Sequence, residues 1–247
     1  MKQLPLGIGL APSPRLDSWI PGPNAAVLAH VQSVLHDNRP SLRPTYIWGP
    51  EGSGKTHLLQ GVLQALREQG REAGWLDAST PCGGYARPFD PRWSVVLLDE
   101  VDAYGPEQQH TAFNWFIHAM TPQQGEPCWV LSAGRLPVTD LPLREDLRTR
   151  LGWGQVFGLQ PLAEDDVQRA LRQEAQARGL DLSDEVLRYM LSRFSRDLGS
   201  LSQLLAMLDD TAIEELNARS KAPRDCQELA LLVGRFHDDA SRATDLT

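Results

Sequence analysis

Apolar positions along the chain follow two rhythms. Tyr46-Ile47-Trp48, Ala73–Ala78, Val95-Val96-Leu97-Leu98, Cys128–Ala133 and Gln155–Leu159 are short runs with little or no polar interruption. Between them, apolar residues recur three and four apart. They do so over 25–37 (Ala25, Val27, Leu28, Val31, Val34, Leu35), after residue 56 (Leu58, Leu59, Val62, Leu63) and over 106–120 (Phe113, Trp115, Phe116, Ile117, Ala119, Met120). The first rhythm predicts strands buried on both faces, the second amphipathic helices. Asn24 is the expected N-cap of the first helix and Asn38-Arg39-Pro40 its stop; Gln69-Gly70 breaks the second. Residues 79–92 read as a loop containing Gly and Pro. The expected class is α/β, with a parallel five-stranded sheet and helices on both faces. After Pro161 the strands cease: 163–178, 183–194 and 198–217 read as three helices of a small all-α domain. The predicted organisation is therefore a tail over 1–15, an α/β domain over 16–162, a helical domain over 163–217 and an unassigned tail over 218–247.

The first 24 residues carry Pro5, Pro12, Pro14, Pro21 and Pro23, which argue against a helix. Leu4, Leu6, Ile8 and Leu10 nevertheless alternate, which suits either a docking peptide or a strand added to the core. No apolar run approaches the roughly 20 residues of a membrane span, and the N-terminus has no secretory apolar region, so a cytoplasmic protein without a membrane partner is expected. Cys82, Cys128 and Cys226 have no metal-ligand spacing and fit a reducing compartment. A net charge of −8 argues against gripping DNA with a broad basic surface, leaving DNA to be reached through a partner.

The chemistry concentrates after the first strand. Gly49-Pro50-Glu51-Gly52-Ser53-Gly54-Lys55-Thr56 is the Walker A pattern, a loop whose backbone N–H groups cradle phosphates and whose following helix favours an anion at its start. Lys55 reaches β- and γ-phosphates in such a loop, and the Thr56 hydroxyl ligates Mg²⁺. The apolar run ending in Leu98 leads into Asp99 and Glu100, a Walker B pattern: Asp99 suits the Mg²⁺ shell and Glu100 the orientation of an attacking water. Ser132, near the end of the fourth strand, is the candidate γ-phosphate sensor. Arg144, Arg148 and Arg150 cluster before Gly152-Trp153-Gly154. By themselves they read as a solvated helix end, or as an arginine finger for a neighbour's nucleotide.

Together these motifs resemble an AAA+ P-loop ATPase module. More narrowly, Leu16–Asn24, Gly49–Leu59, Arg148–Gly154 and Arg196-Asp197-Leu198 look like the bacterial replication initiator DnaA. Gln3-Leu4-Pro5-Leu6 looks like the peptide by which replication proteins dock on the sliding clamp, and only 30 residues follow the last predicted helix, too few for the initiator's DNA-reading domain. The combination resembles the Hda family of DnaA regulatory inactivators. That resemblance implies a regulator of chromosomal replication initiation that holds ADP or ATP with Mg²⁺. Gly49 through Thr56 and His57 would be nucleotide contacts, with Thr56 and Asp99 at the metal, Glu100 positioning water, Ser132 near sensor 1, and Arg196 as the lid sensor. Arg150 would be the arginine finger. The implied partners are DnaA and the sliding clamp, the latter through Gln3, Leu4, Leu6 and Ile8. A homodimer is left open. Relatives often carry an acid where this chain has Gly134. A stand-alone helicase-loader or clamp-loader-type motor, and an adaptor with a vestigial nucleotide site, are the competing expectations.

Overall fold

A computed structural model describes residues 14–37, 43–81, 87–122, 127–180 and 182–193, together with Leu201 and Leu205. The chain divides into two compact units. One spans Ser13–Ala163; the other holds the residues from Glu164 onward.

The first unit follows the predicted rhythm closely. Its elements are α1 (Ala25–His36), β1 (Thr45–Trp48), α2 (Lys55–Glu68), β2 (Glu72–Leu76), β3 (Trp93–Leu98), α3 (Pro106–Met120), β4 (Trp129–Gly134), α4 (Glu145–Leu151) and β5 (Gln155–Gly158). The strands form a parallel sheet in the order β2-β3-β4-β1-β5. Parallel neighbours require crossover connections, so helices cover both faces and each strand must be apolar on both. Val95 and Leu97 of β3 accordingly join Leu58, Val62 and Leu66 of α2 in one core layer. Val96 and Leu98 join Trp115 and Phe116 of α3, and Leu147 and Leu151 of α4, in the other.

Two local expectations are corrected. β2 stops at Leu76 rather than Ala78, because the Asp77 carboxylate accepts hydrogen bonds from Ser79 and Thr80 (each 2.8 Å) and turns the chain. Asn24 occupies the N-cap position of α1 without capping it. Its side chain clasps Gln160 instead, donating to the carbonyl at 2.9 Å and accepting from the N–H at 2.8 Å.

In the second unit, α5 (Glu164–Ala177) and α6 (Asp184–Arg193) are described. Val167, Leu171 and Ala175 lie on the buried stripe of α5, and Val186, Leu187, Met190 and Leu191 on that of α6. Arg172 pairs with Asp184 between the two helices. Leu201 and Leu205, four apart, are fully buried.

Candidate nucleotide site

The loop between β1 and α2 is tied to its surroundings at three points. The Gly49 N–H donates to Gly134 O at 3.2 Å, fixing the loop to the end of β4. Gly54 sits at φ +86°, a left-handed conformation that costs glycine nothing. A Cβ there would also stand 2.9 Å from the indole nitrogen of Trp19, which donates to Gly54 O at 3.0 Å. Lys55 folds back under the loop, its ammonium donating to Gly49 O (2.9 Å), Pro50 O (2.7 Å) and Ser53 Oγ (3.2 Å). Burial pulls the Lys55 pKa below its ordinary value, against the opposing charges of Asp99, Asp102 and Glu51. The amine therefore sits among loop carbonyls at the start of a helix, where backbone N–H groups favour an anion. His57 faces the other way: its Nε2 lies 3.0 Å from Ser18 Oγ.

The acids at the end of β3 complete the arrangement. Asp99 is 2% exposed. Its Oδ1 accepts from the Glu100 N–H at 3.0 Å, and burial raises its pKa above the ordinary aspartate value despite the nearby Thr56 hydroxyl, that bond and Lys55. Glu100 is exposed at φ 52°, the one non-glycine residue with positive φ among those described. Its pKa is raised, first by partial burial and then by the charges of Asp99, Asp77 and Asp102. Asp102 has a side chain only 4% exposed and accepts from Arg135 twice, from the backbone N–H at 2.8 Å and from Nε at 2.7 Å. Burial would push its carboxyl up, but the Arg135 bonds hold it below the usual range. Among the described residues no trio of acids, histidines or cysteines could hold a metal ion by itself. The Thr56 hydroxyl beside the Asp99 carboxylate is a hard-oxygen pair that suits Mg²⁺ carried by a polyphosphate. The loop N–H groups and Lys55 suit the polyphosphate itself.

Some predicted positions take another role or lie outside the described residues. Ser132, expected to face the loop, is fully buried inside the sheet and donates to Thr45 O at 3.1 Å. A side chain at Gly134 would not fit either, because its Cβ would lie 2.7 Å from the Tyr46 hydroxyl and 3.1 Å from Asp102 Oδ1. The polar residue just beyond β4 is Arg135, which sequence reasoning passed over although it directly follows the strand. Arg196, Gln3, Leu4, Leu6 and Ile8 lie outside the described residues.

Arg150 belongs to a different surface. It lies in the last turn of α4, its guanidinium 5.2 Å from the ring centre of Phe113 and 4.8 Å from that of Trp153. Arg144 also stacks on Phe113, at 5.1 Å, and bridges Asp146 through two hydrogen bonds.

Residues 164–217 match the family model described as Hda, lid domain. The fold is similar to that of domain III of the Thermotoga maritima replication initiation protein DnaA, with a TM-score of 0.73 at 19% identity over 91% of this chain and 97% of that one. It is also similar to AMPPCP-bound DnaA from Aquifex aeolicus, with a TM-score of 0.65 at 22% identity over 84% of this chain and 68% of that one. A Thermotoga maritima RuvB mutant matches at TM-score 0.60 and 15% identity, over 90% of this chain and 72% of that one. The fold is therefore the one seen in the solved DnaA structures, and residues 164–217 are the part of the chain that matches the Hda lid model.

Proposed function

We propose that this protein restrains replication initiation by promoting hydrolysis of ATP bound to DnaA while it is docked on the DNA-loaded sliding clamp. The observation that carries the reading is an arginine at 150 whose stacking partners are Phe113 and Trp153, on a chain that also has an intact Walker A loop of its own. Such an arginine is suited to a neighbour's nucleotide.

In this reading Gly49–Thr56 hold ADP or ATP, and Thr56 and Asp99 hold its Mg²⁺. The bound nucleotide's chemistry here is to stabilise the shape that meets the initiator. Arg150 enters the initiator's site, where water adds to the γ-phosphorus and ADP leaves. A guanidinium supplied in trans at that step is worth about 10³–10⁵ in rate, roughly 4–7 kcal/mol of barrier. Gln3, Leu4, Leu6 and Ile8 bind the clamp, which raises local concentration without taking part in the chemistry. Arg196 contacts the chain's own nucleotide from the lid.

The test is hydrolysis of initiator-bound ATP with and without this protein and clamp loaded on DNA. Stimulation that requires the clamp, Gln3 and Arg150 is expected. Normal stimulation by Arg150→Ala rules the arginine role out. The intact Lys55, Asp99 and Glu100 favour one rival, a motor with its own turnover. Robust ATP hydrolysis by the protein alone, without any effect on the initiator, would select that rival.

A further inference from the structure

Arg150 is held between two aromatic rings from separate elements. Phe113 comes from α3, and Trp153 from the turn after α4. The Arg150 Nε is buried and has no hydrogen-bond partner among the described residues. Trp153 is 58% exposed, unusual for so large an apolar side chain. It is nonetheless fixed: its backbone N–H donates to Arg150 O at 3.1 Å, and its ring meets the edge of Phe116 at 6.3 Å and 78°. Arg144, the other cation over Phe113, is engaged by Asp146. The two arginines therefore differ. One pairs with a carboxylate, while the other is held by ring faces and forms no ion pair among the described residues.

We propose that Phe113 and Trp153 form an aromatic clamp that positions Arg150 for a phosphate group of a partner-bound nucleotide. The inference rests on the reading of Arg150 as a finger in trans and says how the finger is aimed. A guanidinium stacked on ring faces keeps its planar edge available, and that edge is what bidentate phosphate recognition uses. The buried Nε leaves the two terminal nitrogens as the presenting edge. A lysine has no planar face to stack and no fork to present, so Arg150→Lys loses both parts of the device. One jaw of the clamp is on α3, the helix that begins at Pro106, just beyond Asp99, Glu100 and Asp102. The aim of Arg150 is thereby linked through one rigid element to the acids of the chain's own nucleotide site. Phe113 and Trp153 are positioning residues, since neither needs to touch the nucleotide.

The test uses the full chain and two readouts. The first is the Nε–H resonance of Arg150 in protein labelled with ¹⁵N-arginine, which the two rings should displace from the position of a free arginine. The second is the maximal rate of hydrolysis of initiator-bound ATP, with clamp loaded on DNA. Trp153→Ala is expected to return the resonance toward the free position and lower the maximal rate roughly two- to thirtyfold, the range for losing a cation–π contact. Its melting temperature should stay near that of the parent, because Trp153 is mostly exposed. Trp153→Phe keeps a ring face and should restore both readouts, which a merely structural role would not produce. Phe113→Leu, which retains apolar volume, should behave like Trp153→Ala. If Arg150→Ala is inactive while Trp153→Ala stimulates fully, the clamp is overturned and the finger survives. If Arg150→Ala stimulates fully, the finger reading falls and the clamp's purpose falls with it, whatever the resonance shows.

Discussion

His30 sits against the rings of Trp129 and Phe157, with its Nε2 3.0 Å from Thr45 Oγ1. Burial lowers its pKa below 6.5. The folded chain thus favours the neutral ring, and the unfolded chain takes up the proton first as the solution is acidified. Stability rises with pH wherever the unfolded state binds more protons, so it should fall as pH drops below 6.5 toward the lower folded value. His30→Gln should flatten the dependence of melting temperature on pH in that window; an unchanged slope would assign it to another group. Glu100 offers a second test. At φ 52° it holds a conformation that costs an L-residue roughly 1–2 kcal/mol, at the position where water would be oriented. Glu100→Gly should stabilise the fold by about 1 kcal/mol, allowing for the entropy glycine brings, while removing any ATP turnover of its own. A drop in melting temperature would mean that the carboxylate has a stabilising role. At this scale the sequence was readable where chemistry is local, as in the glycines, Lys55 and Asp99. It was unreadable where a polar group's partner is distant in the chain. Nothing near Asn24 announces Gln160, and nothing near Ser132 announces the Thr45 carbonyl that occupies it.

Among elements, the strands declared themselves because a strand covered on both faces has to be apolar throughout. The helices did so through their single buried stripe. Phe113 illustrates the limit of that reading. Periodicity assigned it to the core with Trp115 and Phe116, yet it is only partly buried and faces two arginines. A repeat of three and four finds a helix face but cannot say whether its margin meets a core or a cation. The turn into β5 shows a different constraint. A Cβ on Gly154 would stand 1.8 Å from Pro44 O, the same carbonyl that accepts the Gln155 N–H at 2.9 Å. Backbone on both sides leaves nothing flexible to give way. Gly154→Ala should therefore destabilise by at least about 2 kcal/mol, in the range for overpacking a rigid site. Gly152→Ala, two residues earlier, meets nothing tighter than the Val138 methyl at 3.2 Å and should cost much less. Chemical denaturation of the two variants checks the contrast; equal losses would refute it.

For the molecule as a whole, bound nucleotide should stabilise the α/β unit by mass action. At about 100 times the dissociation constant the gain is about 2.7 kcal/mol, or roughly 5–10 °C for a domain of this size. Mg-ADP should raise the melting temperature of the parent protein and leave that of Lys55→Ala nearly unmoved. An equal rise in both would separate Lys55 from nucleotide affinity. The α/β class and its five strands could be inferred from the chain, but the strand order and the partners of Arg150 could not, because those partners meet only once α3 and α4 pack together.

The sheet order also governs how the protein comes into being on the ribosome. β1, which leads into the phosphate-binding loop, is among the first strands made, yet its neighbours are β4 and β5, with Thr45 opposite Leu131 and Gln155. The Gly49 N–H has no Gly134 carbonyl to bond until β4 has been synthesised. At roughly 5–20 residues per second, the nascent loop spends on the order of ten seconds without the strands that shape it. Nucleotide capture by this loop is therefore expected to follow synthesis of β4 and β5.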